Sequence, residues 1–341
     1  TVTGVDYNEK ALERAHTLAS KSRFSERLVF YRGTLTELPE PVRDQHFDFV
    51  HVEGVLHHTA DPEAALNVVA ARVAVGGFLV VRNYQAITSF QRLVKRMIVR
   101  LGVGEDATGI MANTKRLFYE DVERSIAGAG RTEDQAMYDN FVNPHYQPFG
   151  HKTPFSLCDR FGFRIHAFVP GVDVSPLAGP GGVMPQDGDS GLLLAWWGTT
   201  LARAAVATDP AALFLEKHRA LLEDCSAAGV ALEDSLNELT DKATADAWDM
   251  VVESMVRYLS HFRSALGSLY KETDRECAAF LEELRALQPL IRDSIEEGRA
   301  PEALPETVAL FRKMSGFPMA SFVLERPEPE PEVPFTLPGE K

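Results

Sequence analysis

The sequence predicts an α/β fold, a doubly wound and mostly parallel sheet followed by an all-helical C-terminal region. Three observations predict it. Strand-like and helix-like segments alternate through residues 1–85, the pattern of right-handed βαβ units. From about residue 200 apolar residues recur only at helical spacing. A chain of 341 residues, 45% hydrophobic and 25% charged, can also bury a sizeable core, which excludes whole-chain disorder.

Val2–Val5 is a short apolar run ending in Asp6, and Asn8 is placed to cap a helix with Leu12, Ala15 and Ala19 on one face. Leu28–Tyr31 is a second strand candidate, and Phe47–Val52 a third after the turn-like Arg43–His46. Asp61-Pro62-Glu63 starts a helix, a capping side chain followed by proline at the first helical position. Leu66, Val69, Ala70 and Val73 form its buried stripe, and Gly76-Gly77 closes it. Phe78–Arg82 is a fourth strand, apolar on both faces as a central parallel strand should be. Residues 83–135 read as mostly helical. Phe161–Val169 and Gly191–Trp197 read as strands, separated by the Gly/Pro-rich loop Pro170–Asp189.

In the second half, Phe214, His218, Leu221, Leu222 and Cys225 mark one helix. Trp248, Val251, Met255, Leu259, Phe262 and Leu266 mark another. Thr273 with Glu276 fits a capping box ahead of Cys277, Phe280, Leu284 and Ile291. Pro305 starts a last short helix that Gly316 can end. These stripes need cover, from a small bundle, from the first domain or from a second copy in a homo-oligomer. The resulting organisation is a sheet domain over residues 1–199, a helical domain over 200–325, and a disordered acidic Pro/Glu-rich tail over 326–341.

Net charge is −14, and residues 201–341 carry 15 basic against 26 acidic side chains. Phosphates are repelled by such a surface, so no DNA is expected and the partner is a small molecule or another protein. No stretch reaches the roughly 20 apolar residues of a membrane span. Cys158, Cys225 and Cys277 lie far apart without CxxC spacing, as reduced buried thiols of a cytoplasmic protein would. Five cations and no acid fall between positions 82 and 101 (Arg82, Arg92, Lys95, Arg96, Arg100). They read either as one face of a solvated amphipathic helix or as a lid that touches an anionic substrate. The chain opens on Thr-Val-Thr-Gly-Val-Asp, with neither a Met nor a signal-peptide layout, and is expected to begin one strand late.

Ligands of open α/β sheets sit beyond the carboxyl ends of the strands. Those ends are Asp6-Tyr7, Gly33-Thr34-Leu35, Glu53 through His58, and Arg82-Asn83-Tyr84. A carboxylate at such an end can accept two hydrogen bonds from a ribose diol, although a lone Asp there is also a common helix cap. Four aligned ends carry more weight, and with them a resemblance is clear. The stretches "VTGVDYNEKALERA" (2–15), "FDFVHVEGVLHHTADPEAAL" (47–66) and "VAVGGFLVVRNY" (73–84) resemble the class I S-adenosylmethionine-dependent methyltransferases, a Rossmann-like family. The likeness is tight over about residues 1–85 and looser to about 198, through "YDNFVNPHYQPFGHKTPFSLCDRFGF" (138–163).

The resemblance implies S-adenosyl-L-methionine as cofactor and methyl transfer to an O, N or C atom of a small-molecule acceptor. It implies that Asp6 binds the ribose hydroxyls and that Tyr7 packs on the adenine. Thr34 and Leu35 would lie at the adenine edge, and Glu53, Gly54 and Val55 at the methionine end. Many relatives have an acid where this chain has Thr34, a weaker acceptor. The family's first strand and glycine-rich loop would precede Thr1. Methyl transfer is a displacement that needs alignment, and a base only for a poorly ionised acceptor. The base candidates are His58 and His145, with His57 read as packing and His151 as a weaker fourth. Asn83 and Tyr84 are candidate substrate contacts. No metal site is expected, since adjacent His57 and His58 diverge on any regular element. Two other readings stand: an RNA or protein acceptor, supported by the basic stretch, and a non-catalytic methyltransferase-like scaffold.

Overall fold

The structure, a computed structural model, describes residues 1–150, 153–169, 209–266, 271–312 and 319–328. His151, the loop Pro170–Asp189, the strand expected at Gly191–Trp197 and residues 329–341 lie outside them.

Strand β1 (Val2–Asp6) leads into helix α1 (Glu9–Ser20), which Asn8 caps as expected: its Oδ1 accepts from the N–H groups of Lys10 and Ala11 at 3.0 and 3.3 Å. Strand β2 (Leu28–Arg32) returns parallel to β1, with Asp6 opposite Arg32. After the single turn α2 (Glu40–Arg43) comes β3 (Phe47–Glu53), then a 3-10 turn (Leu56–His58) and helix α3 (Pro62–Ala70). Asp61 caps α3 by accepting from Ala64 N–H at 2.9 Å. Strand β4 (Val73–Tyr84) runs parallel to β3.

Here the structure corrects the sequence reading. Helix α3 ends at Ala70, so Val73 opens β4 and Gly76-Gly77 lies within that strand. The pairing of β3 with β4 shifts register between Phe47 and Phe49. Gly76 takes a φ of +77°, and a Cβ on Gly77 would fall 2.9 Å from the carbonyl oxygens of Ala74 and Asp48. Two glycines allow this irregularity where side chains would clash.

Helices α4 (Phe90–Arg100), α5 (Ala107–Ala129) and α6 (Glu133–Met137) follow β4. Residues Tyr138–Val142 form one π-helical turn, closed by the bond from Asn143 N–H to Tyr138 O at 2.8 Å. Helix α7 (Thr153–Phe161) and strand β5 (Arg164–Val169) complete the first half. Helices α8 (Asp209–Asp241), α9 (Ala245–Leu266) and α10 (Lys271–Glu296) and the turn α11 (Ala309–Arg312) make up the second. Helix α10 contains Thr273 and Glu276, which places them inside it rather than at a capping box.

The chain then returns to the sheet. Met319–Glu325, assigned by sequence to the helical region, is strand β6, inserted antiparallel between β4 and β5. Hydrogen bonding gives two sheets, β1-β2 and β3-β4-β6-β5. The parallel pairs agree with an α/β fold, but the ladder breaks between β1 and β3, and the second sheet is mixed.

Two apolar cores result. One lies on the sheet, with Leu56, Leu66, Val69, Leu79, Val81, Phe322 and Leu324 buried together. The other joins α4–α6 to the later helices, with Phe90, Ile98, Phe141, Trp248, Met255, Phe262 and Leu284 among its members. The apolar stripes of α8–α10 are therefore covered within one chain. Among the described residues no helix is long and apolar enough to cross a membrane.

Candidate active site

The parallel register aligns the strand ends in pairs. Asp6 is opposite Arg32, and Gly33 N–H donates to Asp6 O at 3.1 Å. The Asp6 carboxylate accepts from Asn8 N–H through Oδ1 at 2.8 Å, a turn that fixes its orientation. Tyr7 beside it is 72% exposed. Thr34 accepts from Glu37 N–H at 2.9 Å, so its hydroxyl already serves the local turn. Leu35 packs against the sheet core. At the second pair of ends, Arg82 donates to Glu53 Oε1 at 2.6 Å, and Gly54, at a φ of +65°, donates its N–H to Arg82 O at 2.8 Å. The Glu53 carboxylate is thus half of an ion pair, and Val55 is exposed.

Beyond Val55 the side chains converge. His57 Nδ1 lies 2.8 Å from Asn83 Oδ1, so the ring donates there and carries its proton on Nδ1. Its ring meets Tyr84 edge-on at 4.5 Å and Tyr146 at 5.4 Å. Burial, helped by neighbouring His58, pulls its pKa from 6.5 to about 3, against the hydrogen bond to Asn83. His57 is neutral at physiological pH. The loop bearing Tyr146 is tied over the cluster by Gln147 N–H to His57 O at 3.0 Å and Phe149 N–H to Tyr84 O at 2.8 Å.

His58 is gripped at both ring nitrogens. Nε2 lies 3.1 Å from Asp139 Oδ1. Nδ1 lies 3.0 Å from Asn143 Nδ2 and 3.0 Å from the main-chain oxygen of His145. Asp139 also pairs with Arg131 at 2.5 Å. Burial opposes the Asp139 charge, but the His58 hydrogen bond and the Arg131 guanidinium outweigh it and hold the carboxyl below the ordinary aspartate range. A hollow of about 720 Å³ is lined by Asp139 together with Met111, Arg131, Asp134, Gln135 and Tyr138.

The basic stretch holds this arrangement together from inside. Phe90 to Val99 is buried, so α4 is neither a solvated helix nor an exposed cationic face. Arg92 lies over the rings of Tyr84 and Tyr146 at 4.7 and 5.6 Å. Lys95 Nζ pairs with Asp121 at 2.7 Å, both side chains 1% exposed. Arg96 donates to Asn140 O at 2.9 Å and to Asn143 O, and Arg100 to Val142 O at 3.2 Å. Cations at the carbonyl end of a helical turn offset its negative dipole end. Here they fix the turn that carries Asp139 and Asn143.

Comparison with known proteins agrees with the strand-end geometry. A methyltransferase-domain family matches residues 1–124. Over those residues the chain is similar to a methyltransferase domain. A relative, 27-O-demethylrifamycin SV methyltransferase of Amycolatopsis mediterranei (strain S699), is 37% identical over 86 residues. That stretch is 24% of this chain and spans 31% of the length of the relative.

Within the matched residues, the structure brings His57, His58, Asn83 and Tyr84 into one cluster. His145 joins it through its main-chain oxygen, while its side chain is exposed. His57, which the sequence suggested was a packing residue, is buried and also donates to Asn83. Sequence reasoning missed Asp139, Arg131, Asn143 and Tyr146. The usable signal was an Asp and an Asn four apart, one helical turn, just before His145 in "YDNFVNPHY". Among the described residues no group of three or more His, Cys, Asp or Glu side chains is placed to hold a metal ion.

Proposed function

We propose that the chain is an S-adenosylmethionine-dependent methyltransferase acting on a hydroxyl group of a small molecule. The observation that carries this reading is Asn83, fully buried at the end of β4, whose amide Nδ2 has no hydrogen-bond partner among the described residues. A buried donor left unsatisfied costs about 1–3 kcal/mol, and an oxygen of a bound acceptor would satisfy it. The relative's name supports oxygen as the acceptor atom. The hollow beside Asp139 is of a size that suits a small molecule. The parallel pairs β1-β2 and β3-β4 support reading both as parts of one doubly wound layer.

The donor set fits the cofactor. Asp6 presents an oriented carboxylate to a ribose diol, exposed Tyr7 a flat face to an adenine, and the turn at Gly54 a side-chain-free approach to the methionine end. Glu53 serves an ammonium group there by sharing its carboxylate with Arg82. When bound, the cofactor supplies an electrophilic methyl group on a sulfonium sulfur. The protein's own residues then orient and deprotonate. Asn83, held by His57, donates to the acceptor oxygen, Tyr84 and Tyr146 exclude water, and His58 takes the acceptor's proton.

The test uses S-adenosylmethionine with an isotope-labelled methyl group and a panel of phenols and alcohols. Label is expected in an ether product. Asp6→Ala is expected to raise the cofactor's dissociation constant about 10-fold or more, as loss of a charge-assisted hydrogen bond does. A wild-type chain that neither binds the cofactor in calorimetry nor transfers label overturns the reading.

A further inference from the structure

The hydrogen bonds around His58 determine which of its nitrogens can exchange a proton. Asn143 Oδ1 accepts from His145 N–H at 3.0 Å, which fixes the amide so that Nδ2 is the group facing His58. An amide Nδ2 only donates, so neutral His58 must meet it with a bare Nδ1. The ring proton is then on Nε2, directed at Asp139, a carboxylate that only accepts. If Nδ1 gains a proton, it finds the His145 carbonyl oxygen at the same 3.0 Å. Nε2 keeps its proton on Asp139 in both charge states, and Nδ1 has a partner in each: a donor when bare, an acceptor when protonated.

We propose, given a hydroxyl acceptor methylated at this site, that Asp139 is the positioning residue that locks the His58 proton on Nε2 and makes Nδ1 the proton-accepting atom. Arg131 and the π-helical turn hold Asp139, and Arg96 and Arg100 hold the carbonyl end of that turn. In the step itself the acceptor's O–H bond breaks as its proton passes to Nδ1. The oxygen's electron pair forms the new bond to the methyl carbon, whose bond to sulfur breaks with its electrons leaving on sulfur. Protonated His58 is then held by Asp139 through Nε2–H and by the His145 carbonyl through Nδ1–H. Among the described residues, the charged and titratable groups facing His58 are Asp139, Arg131 through Asp139, His57, whose ring centre is 3.9 Å away, and Tyr146, at 6.3 Å. To take the acceptor's proton, Nδ1 must exchange its contact with the Asn143 amide for one with the acceptor's hydroxyl.

The experiment is long-range proton–nitrogen NMR on the full chain labelled with nitrogen-15 at histidine, with His58 assigned by its loss in His58→Gln. In the wild type, neutral His58 is expected to carry its proton on Nε2. A proton on Nδ1 overturns the proposal without any Asp139 variant having to fold. Asp139→Asn puts an amide there: Arg131 only donates and claims its oxygen, so Nδ2 faces Nε2 and the ring proton is expected to move to Nδ1. In kinetics this variant should lower kcat about 10- to 100-fold, while the cofactor's dissociation constant stays as in the wild type. Asp139→Ala should lose the tautomer bias and lower kcat about 10- to 100-fold with KM for the cofactor unchanged. A ring proton that stays on Nε2 in both Asp139→Asn and Asp139→Ala overturns the positioning role. If the wild type transfers no methyl group but the tautomer and its change in the Asp139 variants are as stated, it is the methyl-transfer reading that fails.

Discussion

His57 shows what one buried titratable side chain contributes. Its folded pKa is depressed to about 3 from 6.5, so between those values the unfolded chain binds more protons than the folded one. Stability from this group is complete above pH 6.5 and falls as pH drops through the window toward 3. Asp139 acts in the same direction, its carboxyl held below the ordinary value and its contribution lost in acid. His57→Gln keeps a donor for Asn83 but cannot titrate. It is expected to flatten the loss of thermal midpoint between pH 6.5 and 4, measured by calorimetry at several pH values. A wild-type slope in the variant would show that His57 does not drive the acid sensitivity. At this scale the sequence was legible where chemistry follows a strand end, as for Asp6, His58 and Asn83. It was not legible for Asp139, because nothing local shows that a helical turn 81 residues after His58 folds back onto it.

Helix α4 marks the limit of reading elements from sequence. Its cations at positions 92, 95, 96 and 100 follow a helical period, and a cationic stripe is ordinarily a wet one. The structure buries it because each cation meets a specific group on another element: two tyrosine rings, Asp121, or the carbonyls of the π turn. None of those partners lies within 25 residues of its cation except the ring of Tyr84, so no sequence window contains the pairing. Asp121→Leu is expected to cost about 3–5 kcal/mol in urea unfolding, the usual result of removing one member of a buried pair. The double variant Lys95→Met, Asp121→Leu should recover most of that, with Arg124, 44% exposed, turning to solvent. Equal losses in the single and the double variant would show that burial of the Lys95 charge is not what is being measured. Strand β6 was missed for a related reason: Met319–Glu325 follows a long helical region and has no helix of its own to suggest a βαβ unit.

For the whole molecule, β6 decides how the two halves depend on each other. It supplies both neighbours' hydrogen bonds across β4 and β5, and Phe322 and Leu324 are fully buried in the sheet core. A chain stopped after Arg312 is therefore expected to lose amide-exchange protection at Leu79 and Val81, although neither residue is removed. Retained protection there would mean that β4 holds without its antiparallel partner. The same strand has a consequence for how the protein is made. A ribosome releases the chain from its first residue onward, so β4 and β5 leave it well before the segment that must lie between them. Closing a loop of that length adds only slowly to the entropy cost, but the wait leaves two apolar strand edges open in the meantime. The sheet is finished only after the intervening helices have been made, and a nascent chain that stalls within them would carry an unfilled slot able to capture a strand from a neighbour.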